Sequence, residues 1–159
     1  MNIVVYPGTF DPVTNGHLDL ISRAAAIFDR VVVALPLNSD KTPLFTVDER
    51  IEMLHENIQI VSNVGVGTFE GLAVNYAQSL GARVLLRGIR AVSDYEYELQ
   101  MAMMNRKLAP ELETIFMIPC ESYSYLSSSL VRAVVRHGGS VTGLVPPNVE
   151  KRLRERLLL

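Results

Sequence analysis

The sequence contains a single cysteine, Cys120, and no run of apolar residues long enough to cross a membrane. One cysteine cannot form a disulfide within the chain, and a membrane helix needs about 20 consecutive apolar residues. The net charge is only -2, and no cluster of basic residues of the kind that binds nucleic acid is present. No basic, apolar leader precedes the first predicted strand. We therefore expect a cytoplasmic protein with no nucleic-acid partner and no membrane partner.

The familiar glycine-rich nucleotide motifs are also missing. Neither the phosphate loop G-x-x-x-x-G-K-[ST] nor the dinucleotide fingerprint G-x-G-x-x-G occurs in the sequence. Internal repeats and low-complexity linkers are absent as well. The 159 residues are 48% hydrophobic and 20% charged, a composition that suits a soluble chain that buries one core. We predict a single domain over residues 1–159.

Short apolar runs alternate along the chain with apolar residues at helical spacing. The runs lie near residues 3–5, 31–35, 64–66, 84–86 and 114–118. Continuous apolar runs of this length are typical of parallel strands that are covered on both faces. The alternation predicts an α/β protein, built on a five-stranded parallel sheet with helices on both faces and right-handed crossovers.

Local signals predict where helices begin and which faces they bury. Thr46 with Glu49, and Ser93 with Glu96, have the spacing of a capping box, in which each side chain bonds the other residue's backbone N–H. The methionines expected in the core or at a subunit interface are Met101, Met103 and Met104. The arginines of the last helix that are expected to face solvent are Arg152, Arg154 and Arg156.

The stretch at residues 6–17, YPGTFDPVTNGH, connects the first predicted strand to the first predicted helix. Such a turn places unpaired backbone N–H groups and the positive end of the helix dipole together, which favours an anion such as phosphate. Gly8 and Gly16 let the backbone approach a ligand closely, and Thr9 offers a hydroxyl group. His17 lies in the first turn of the helix, where its imidazole is able to reach the same anion.

Two further groups of polar residues are expected beside this turn. Arg87 and Arg90 directly follow the fourth strand, and ligands of open α/β sheets bind outside the carboxyl ends of the strands. The serines at residues 127–129 precede a helix and offer hydroxyls with free backbone donors. Read from position alone, the arginines are also compatible with surface ion pairs, the serines with a simple helix cap, and Lys41 and Glu98 with solvated side chains.

These residues carry a resemblance to a known family. Residues 14–17, TNGH, match the [TH]-x-G-H signature of the adenylyl- and cytidylyltransferase superfamily, and the whole string YPGTFDPVTNGH resembles the bacterial phosphopantetheine adenylyltransferases. Further matches follow in order at residues 87–98 (RGIRAVSDYEYE), 104–106 (MNR) and 126–132 (LSSSLVR), the last similar to the second superfamily signature, I-S-S-S-x-x-R. The resemblance covers essentially the whole chain and implies a Rossmann-like fold.

The resemblance implies an enzyme that transfers AMP from ATP to 4'-phosphopantetheine, giving dephospho-coenzyme A and pyrophosphate in the penultimate step of coenzyme A synthesis. It implies Mg²⁺ as the cofactor, a homohexamer, and inhibition by coenzyme A, but it assigns no metal ligands in this chain. His17 would be the catalytic residue, holding the α-phosphate in the transition state. The residues assigned to ATP are Thr9, Phe10, His17, Gly88, Ile89, Arg90, Glu98, Tyr123, Ser124, Tyr125, Leu126, Ser127, Ser128 and Ser129. Those assigned to 4'-phosphopantetheine are Thr9, Lys41, Ala73 and Arg87.

Three other interpretations are distinguishable by simple assays. Another member of the superfamily, such as a nicotinate-mononucleotide adenylyltransferase or a cytidylyltransferase, would release pyrophosphate with a different acceptor or with CTP. A nucleotide sensor on the same fold would bind ATP and release no pyrophosphate. An interaction module that uses the methionine-rich helix would have no affinity for nucleotides.

Overall fold

A computed structural model describes residues 1–38 and 42–158 of the chain. The strands are β1 (Ile3–Pro7), β2 (Arg30–Pro36), β3 (Val64–Phe69), β4 (Val84–Gly88) and β5 (Glu113–Met117). The helices are α1 (Asn15–Ala25), α2 (Val47–Ile58), α3 (Ala73–Ser79), α4 (Val92–Leu108), α5 (Ser128–Arg136) and α6 (Pro147–Leu157). Each predicted strand exists, and β3 is longer than its apolar run because Gly67, Thr68 and Phe69 continue its pairing with β2.

The five strands form one parallel sheet in the order β3-β2-β1-β4-β5. The chain moves outward from β1 in one direction through β2 and β3, and then returns to the other side of β1 to form β4 and β5. The crossovers that leave β1 and β4 therefore run to opposite edges of the sheet. A crevice opens at this switch point, outside the carboxyl ends of β1 and β4. The predicted α/β sheet is confirmed, and its fold is Rossmann-like.

Side chains of the strands alternate between two cores, one on each face of the sheet. On one face Val4, Val33 and Leu86 pack with buried residues of α1, α2, α5 and α6. On the other, Val5 and Leu85 pack with α3 and with the residues that follow α4. Because successive residues of a strand point to opposite faces, Arg87 leaves the sheet on the same side as Leu85, beneath α4.

Helix α2 begins as predicted, and helix α4 does not. Thr46 caps α2, and Glu49 reciprocates through the backbone N–H of Thr46, so that capping box is confirmed. The predicted box of Ser93 with Glu96 is wrong, because α4 starts at Val92 with no side-chain cap. The first turn of α4 is instead organised by Asp94, whose carboxylate accepts the backbone N–H and the guanidinium of Arg90.

Arg156 of α6 is exposed, as expected from the sequence, whereas Arg152 and Arg154 are half-buried, and all three bind other side chains. Arg152 pairs with Glu52 and Glu56 of α2. Arg156 lies over the ring of Phe45, 5.1 Å from its centroid, and Arg154 pairs with Glu150 within its own helix. Because α2 and α6 lie side by side on one core, charges on their facing edges are within reach of each other.

Helix α4 exposes most of its apolar residues. Of its 17 residues, all of them described, Glu98 alone is buried. The core alternative for the methionines is therefore wrong, since Met101, Met103 and Met104 are 40%, 66% and 55% exposed. Among the described residues, no helix combines the length and apolar character needed to cross a bilayer.

Candidate active site

An open cleft of about 790 Å³ lies at the switch point of the sheet. Its walls are the turn between β1 and α1, the carboxyl end of β4, and the first residues of α3 and α5, with α4 along one side. This volume is in the range of small-molecule sites, and the position is where open α/β sheets bind their ligands. The polar residues that the sequence singled out lie around this one cleft.

Helix α1 begins with a capping box in which a histidine takes the usual place of glutamate. Thr14 is the N-cap, and the backbone N–H of His17 donates to its side-chain oxygen at 3.3 Å. In return the backbone N–H of Thr14 donates to Nδ1 of His17 at 3.0 Å. Since Nδ1 accepts this bond, the neutral imidazole carries its proton on Nε2. The ring is thus fixed with a donor available to the cleft.

The ring of Phe10 supports His17 from behind. Phe10 is buried and adopts a φ of 49°, a left-handed conformation that few non-glycine residues take. Its ring meets the rings of Tyr6 and His17 edge-on, with centroids 5.3 and 4.9 Å away. Gly8 is required by this packing, because a Cβ there would come within 2.9 Å of Cε2 of Phe10.

The surroundings of His17 keep its imidazole neutral. Burial, together with the positive charges of Arg90 and Arg87, lowers the pKa of His17 to about 4. Burial likewise raises the pKa of the neighbouring Tyr6 to about 12. A neutral histidine with a fixed Nε2–H is suited to donate a hydrogen bond to a phosphate oxygen, and it is not suited to remove a proton.

Arg87 is held by three hydrogen bonds beneath α4. Its Nε and Nη2 donate to the two oxygens of Glu98 at 2.8 and 2.7 Å, and its Nη1 donates to the carbonyl oxygen of Pro7. Burial opposes the positive charge, but the hydrogen bonds and charge of Glu98 outweigh it and raise the pKa of Arg87. The solvated alternative for Glu98 is therefore wrong, and its carboxylate orients Arg87 at the end of β4.

Arg90 joins three walls of the cleft. Its Nε donates to Asp94 of α4 at 3.0 Å, and its Nη1 donates to the carbonyl oxygen of Leu126, just before α5. Burial raises the pKa of Asp94, but the hydrogen bonds and charge of Arg90 outweigh it and lower that pKa. The two arginines thus face the cleft from β4 and its continuation, as the sequence predicted.

The serine run opens α5 at the rim of the cleft. Ser127 is the N-cap and accepts the backbone N–H of Leu130 at 3.0 Å, and Ser128 donates to the carbonyl oxygen of Pro12 at 2.7 Å. Arg132, one turn further on, donates to the carbonyl oxygen of Asp11 and lies 3.5 Å from its carboxylate. Sequence reasoning did not count Arg132 as a site residue, although the second signature contains it. The serine run is therefore both a helix cap and a wall of the cleft.

Most residues predicted for the site line the cleft. Those that do so are Thr9, Phe10, His17, Ala73, Arg87, Gly88, Arg90, Glu98, Tyr123, Leu126, Ser127, Ser128 and Ser129. Ile89, Ser124 and Tyr125 are not among the residues that line it. Lys41 lies outside the described residues. Lining residues that sequence reasoning missed include Asp11, Asp94, Asn105 and Arg132.

The carboxylates around the cleft are already engaged with cations or backbone donors. Glu98 pairs with Arg87, Asp94 pairs with Arg90, and Asp11 accepts the N–H groups of Leu44 and Phe45. Within residues 1–38 and 42–158, no group of three or more His, Cys, Asp or Glu side chains is arranged to hold a metal ion. These residues do not fit a resident magnesium ion, which is normally bound by one or two free carboxylates.

Comparisons with known proteins show which family the chain resembles. Residues 5–134 match the family model described as cytidylyltransferase-like. The chain is 52% identical to the phosphopantetheine adenylyltransferase of Carboxydothermus hydrogenoformans, covering 98% of this chain and 96% of that protein. It is 53% identical to the phosphopantetheine adenylyltransferase of Desulforudis audaxviator, with the same shares covered.

Solved structures show the same fold at low sequence identity. A crystal structure assigned as a nicotinate-nucleotide adenylyltransferase from Vibrio parahaemolyticus superposes with a TM-score of 0.69 at 16% identity, covering 96% of this chain and 99% of the other. A lipopolysaccharide core biosynthesis protein from Thermoplasma volcanium superposes with a TM-score of 0.57 at 18% identity, covering 76% and 99%. The resemblance read from the motifs is confirmed by the full-length relatives: the chain belongs to the phosphopantetheine adenylyltransferase family of nucleotidyltransferases.

Proposed function

We propose that this chain transfers AMP from ATP to 4'-phosphopantetheine, giving dephospho-coenzyme A and pyrophosphate. The observation that carries the proposal is the convergence of His17, Arg87 and Arg90 on one cleft at the switch point of the sheet. The identity of more than half the residues to phosphopantetheine adenylyltransferases supports the choice of substrates. Transfer of AMP to this acceptor is the penultimate step of coenzyme A synthesis.

The chemistry needs alignment and charge neutralisation more than it needs a protein nucleophile. An oxygen of the acceptor phosphate attacks the α-phosphorus of ATP, a new P–O bond forms, and the bond from the α-phosphorus to the α,β-bridging oxygen breaks. Pyrophosphate leaves with that bonding pair. The acceptor phosphate is already an anion at neutral pH, so no group must deprotonate it. The neutral His17 fits this requirement.

Each polar residue then has a distinct role. His17 donates from Nε2 to an oxygen of the α-phosphate, where negative charge is most crowded in the transition state. Arg87, held by Glu98, faces the acceptor phosphate, with Thr9 and Ala73 beside the acceptor and Lys41 as a further contact. Arg90 and the N-terminus of α5 receive the phosphates of ATP. Tyr123, Leu126 and Gly88 form the walls around the nucleotide.

Mg²⁺ would enter as part of the nucleotide substrate. The carboxylates of the cleft are engaged with arginines and backbone N–H groups, so the described residues supply no free carboxylate for a resident ion. When bound to ATP, the ion neutralises charge on the phosphates. The hydroxyl groups of Thr9 and of the serine run, which line the cleft, would face those phosphates.

We further propose a cytoplasmic homohexamer that is inhibited by coenzyme A. The exposed apolar residues of α4 support assembly, because a soluble monomer rarely leaves so many along one helix. They are Val92, Tyr95, Tyr97, Leu99, Met101, Met103, Met104 and Leu108. Inhibition by coenzyme A follows from its chemistry, since it contains both the pantetheine arm and the adenylyl group of the proposed product.

A pyrophosphate-release assay tests the proposed function. The purified chain is mixed with ATP or CTP and with 4'-phosphopantetheine or nicotinate mononucleotide. We expect pyrophosphate only with ATP and 4'-phosphopantetheine, together with dephospho-coenzyme A in equal amount. Pyrophosphate release with another acceptor or with CTP would assign the chain to a different reaction of the superfamily. ATP binding without pyrophosphate release would favour a nucleotide sensor.

A further inference from the structure

A buried arginine holds the turn at residues 6–17 from behind the cleft. Arg50, in the first turns of α2, is 2% exposed and is not a lining residue. Its Nη1 donates to the carbonyl oxygen of Thr9 at 2.8 Å. Its Nε donates to the carbonyl oxygens of Phe45 and Thr46 at 3.1 and 3.3 Å. One guanidinium therefore bridges the turn and the segment that enters α2.

Asp11 makes the reciprocal connection. Its carboxylate, on a residue that is 5% exposed, accepts the backbone N–H groups of Leu44 and Phe45 at 2.8 and 2.9 Å. The turn thus supplies an acceptor side chain to residues 44 and 45, while α2 supplies a donor side chain to the turn. Hydrogen bonds in both directions fix the relative position of the two segments better than apolar packing alone, because each bond has a preferred direction.

The charge on Arg50 is costly to bury. Burial lowers the pKa of Arg50, and the carboxylate of Asp11 offsets part of that effect. Buried charges of this kind often add no net stability relative to apolar side chains of similar size. A role in orientation explains the arginine better than a role in stability, because a planar guanidinium can hold several carbonyl groups in one fixed geometry.

The carbonyl group that Arg50 holds is next to the strained residue of the turn. Thr9 C=O belongs to the peptide group that precedes Phe10, whose φ is 49°. Rotation of that peptide group would move the Phe10 ring, which lies 4.9 Å from the ring of His17. A continuous set of contacts therefore connects Arg50 to His17 through Thr9 and Phe10.

We propose that Arg50 is a positioning residue, which fixes the Thr9–Phe10 peptide group and thereby holds Phe10 against His17. The kinetic part of this inference rests on the proposed AMP transfer, whereas the structural part does not. Arg50 acts through Thr9 and makes no contact with the reacting phosphates in this scheme.

The test compares R50M and R50K with the control R152M. R50M removes the guanidinium, and R50K keeps a positive charge without the planar fork. Arg152 is also partly buried and pairs with α2, through Glu52 and Glu56, but it lies away from the turn. Each variant is assayed for kcat, for the Kd of ATP and for the pKa of His17 by NMR of the ring nitrogens. The chain has three histidines, and the exposed His55 and His137 serve as internal references.

We expect R50M and R50K to lower kcat by about tenfold to a hundredfold, the effect of a small misplacement of reacting groups. The Kd of ATP should change by less than about threefold, because the phosphate contacts remain. The pKa of His17 should rise from about 4 toward its ordinary value of 6.5, since water reaches the ring once Phe10 moves. R152M should match the wild type in all three measurements.

Wild-type kcat and an unchanged His17 pKa in the Arg50 variants would overturn the proposal, even if their melting temperatures fall. If the pKa of His17 rises in R50M but not in R50K, the cause is the lost positive charge, and the proposed positioning role is also overturned. If R50M does not fold, R50K decides on the same measurements, and failure of both to fold shows a structural role only. If the wild type transfers no AMP, the proposed function fails while the titration of His17 still decides the positioning role.

Discussion

The backbone N–H of Thr14 donates to Nδ1 of His17 at 3.0 Å, so one hydrogen bond both begins α1 and selects the tautomer of the histidine. The N-terminal cap of the helix and the orientation of the donor are therefore the same interaction. Because Nδ1 is an acceptor, the proton lies on Nε2 and is available to a ligand in the cleft. His17 is thus arranged as a hydrogen-bond donor before any substrate is bound.

Removal of the imidazole should affect turnover far more than binding. We expect His17→Ala to lower kcat at least a hundredfold, the usual effect of losing one donor that acts on transition-state charge. The Kd of ATP should stay within about threefold, because Arg90 and the start of α5 remain. Steady-state kinetics and calorimetric titration with ATP measure the two quantities, with the exposed His137→Ala as the control. Equal losses in affinity and in kcat would contradict a transition-state role.

The low pKa of His17 makes the stability of the protein depend on pH. The pKa is about 4 in the folded chain and about 6.5 when the chain unfolds, so between these values the unfolded state binds more protons. The free energy of unfolding should therefore fall as the pH decreases from 6.5 to 4. Above pH 6.5 the titration of His17 no longer changes that free energy. The full effect on the free energy of unfolding is on the order of 3 kcal/mol.

The matched variant for this measurement is His17→Gln. Glutamine at the same position of the helix can still accept the backbone N–H of Thr14, so it preserves the capping box without a titrating group. Urea unfolding of both proteins from pH 4 to 8 should show wild type losing stability relative to His17→Gln below pH 6.5. If the free energies of unfolding of the two proteins change in parallel with pH, the pKa of His17 is the same in the folded and unfolded states, and the prediction is wrong.

Glu98 can be tested as the residue that orients Arg87. Glu98→Gln should remove one acceptor and the counter-charge of a buried pair while keeping the shape of the side chain. The guanidinium then rotates more freely, so we expect kcat to fall roughly tenfold. The KM for 4'-phosphopantetheine should not rise, since the unpaired charge still attracts its phosphate.

The control for Glu98 is Glu113→Gln, which alters an exposed pair with Arg106 far along the sheet edge. Exposed ion pairs contribute little to the free energy of unfolding, so this variant should keep wild-type kinetics and stability. Direct binding of ATP by Glu98, as the family resemblance implies, would instead raise the KM for ATP with kcat unchanged. The two roles are therefore separated by which kinetic constant moves.

Gly8 leaves space for the ring of Phe10, whereas the sequence suggested that it leaves space for a ligand. In Gly8→Ala the new Cβ would lie 2.9 Å from Cε2 of Phe10, and Phe10 is enclosed by Tyr6 and His17. Displacement of that ring should lower kcat by about tenfold or more and cost roughly 1–3 kcal/mol of stability, as overpacking does. Gly65→Ala on β3 is the control, because nothing lies within 4 Å of a Cβ there. Wild-type kcat in Gly8→Ala would show that the position of Phe10 is unimportant.

The sequence predicted the sheet and most of the cleft because both depend on short-range patterns. Apolar runs, the Thr46 capping box and the positions of Arg87 and Arg90 after β4 follow from residues close together in the chain. The partner of Arg87 could not be predicted in this way. Glu98 meets Arg87 only because α4 crosses β4, and Arg50 meets Thr9 only because α2 packs against the turn, 41 residues away. The Ser93 box failed because α4 begins before Ser93, at Val92, and Asp94 of its first turn pairs with Arg90.

The exposed apolar residues of α4 allow the proposed assembly to be tested with one charge. Met103 is 66% exposed and does not line the cleft, so Met103→Glu places a carboxylate on the proposed interface and leaves the site intact. Burial of an unpaired charge between subunits is costly, so we expect the molar mass measured by light scattering to fall below that of the wild type. Ile60→Glu is the control, since Ile60 is 97% exposed after α2, and it should keep the wild-type mass. A wild-type protein that is monomeric at micromolar concentration would contradict assembly through α4.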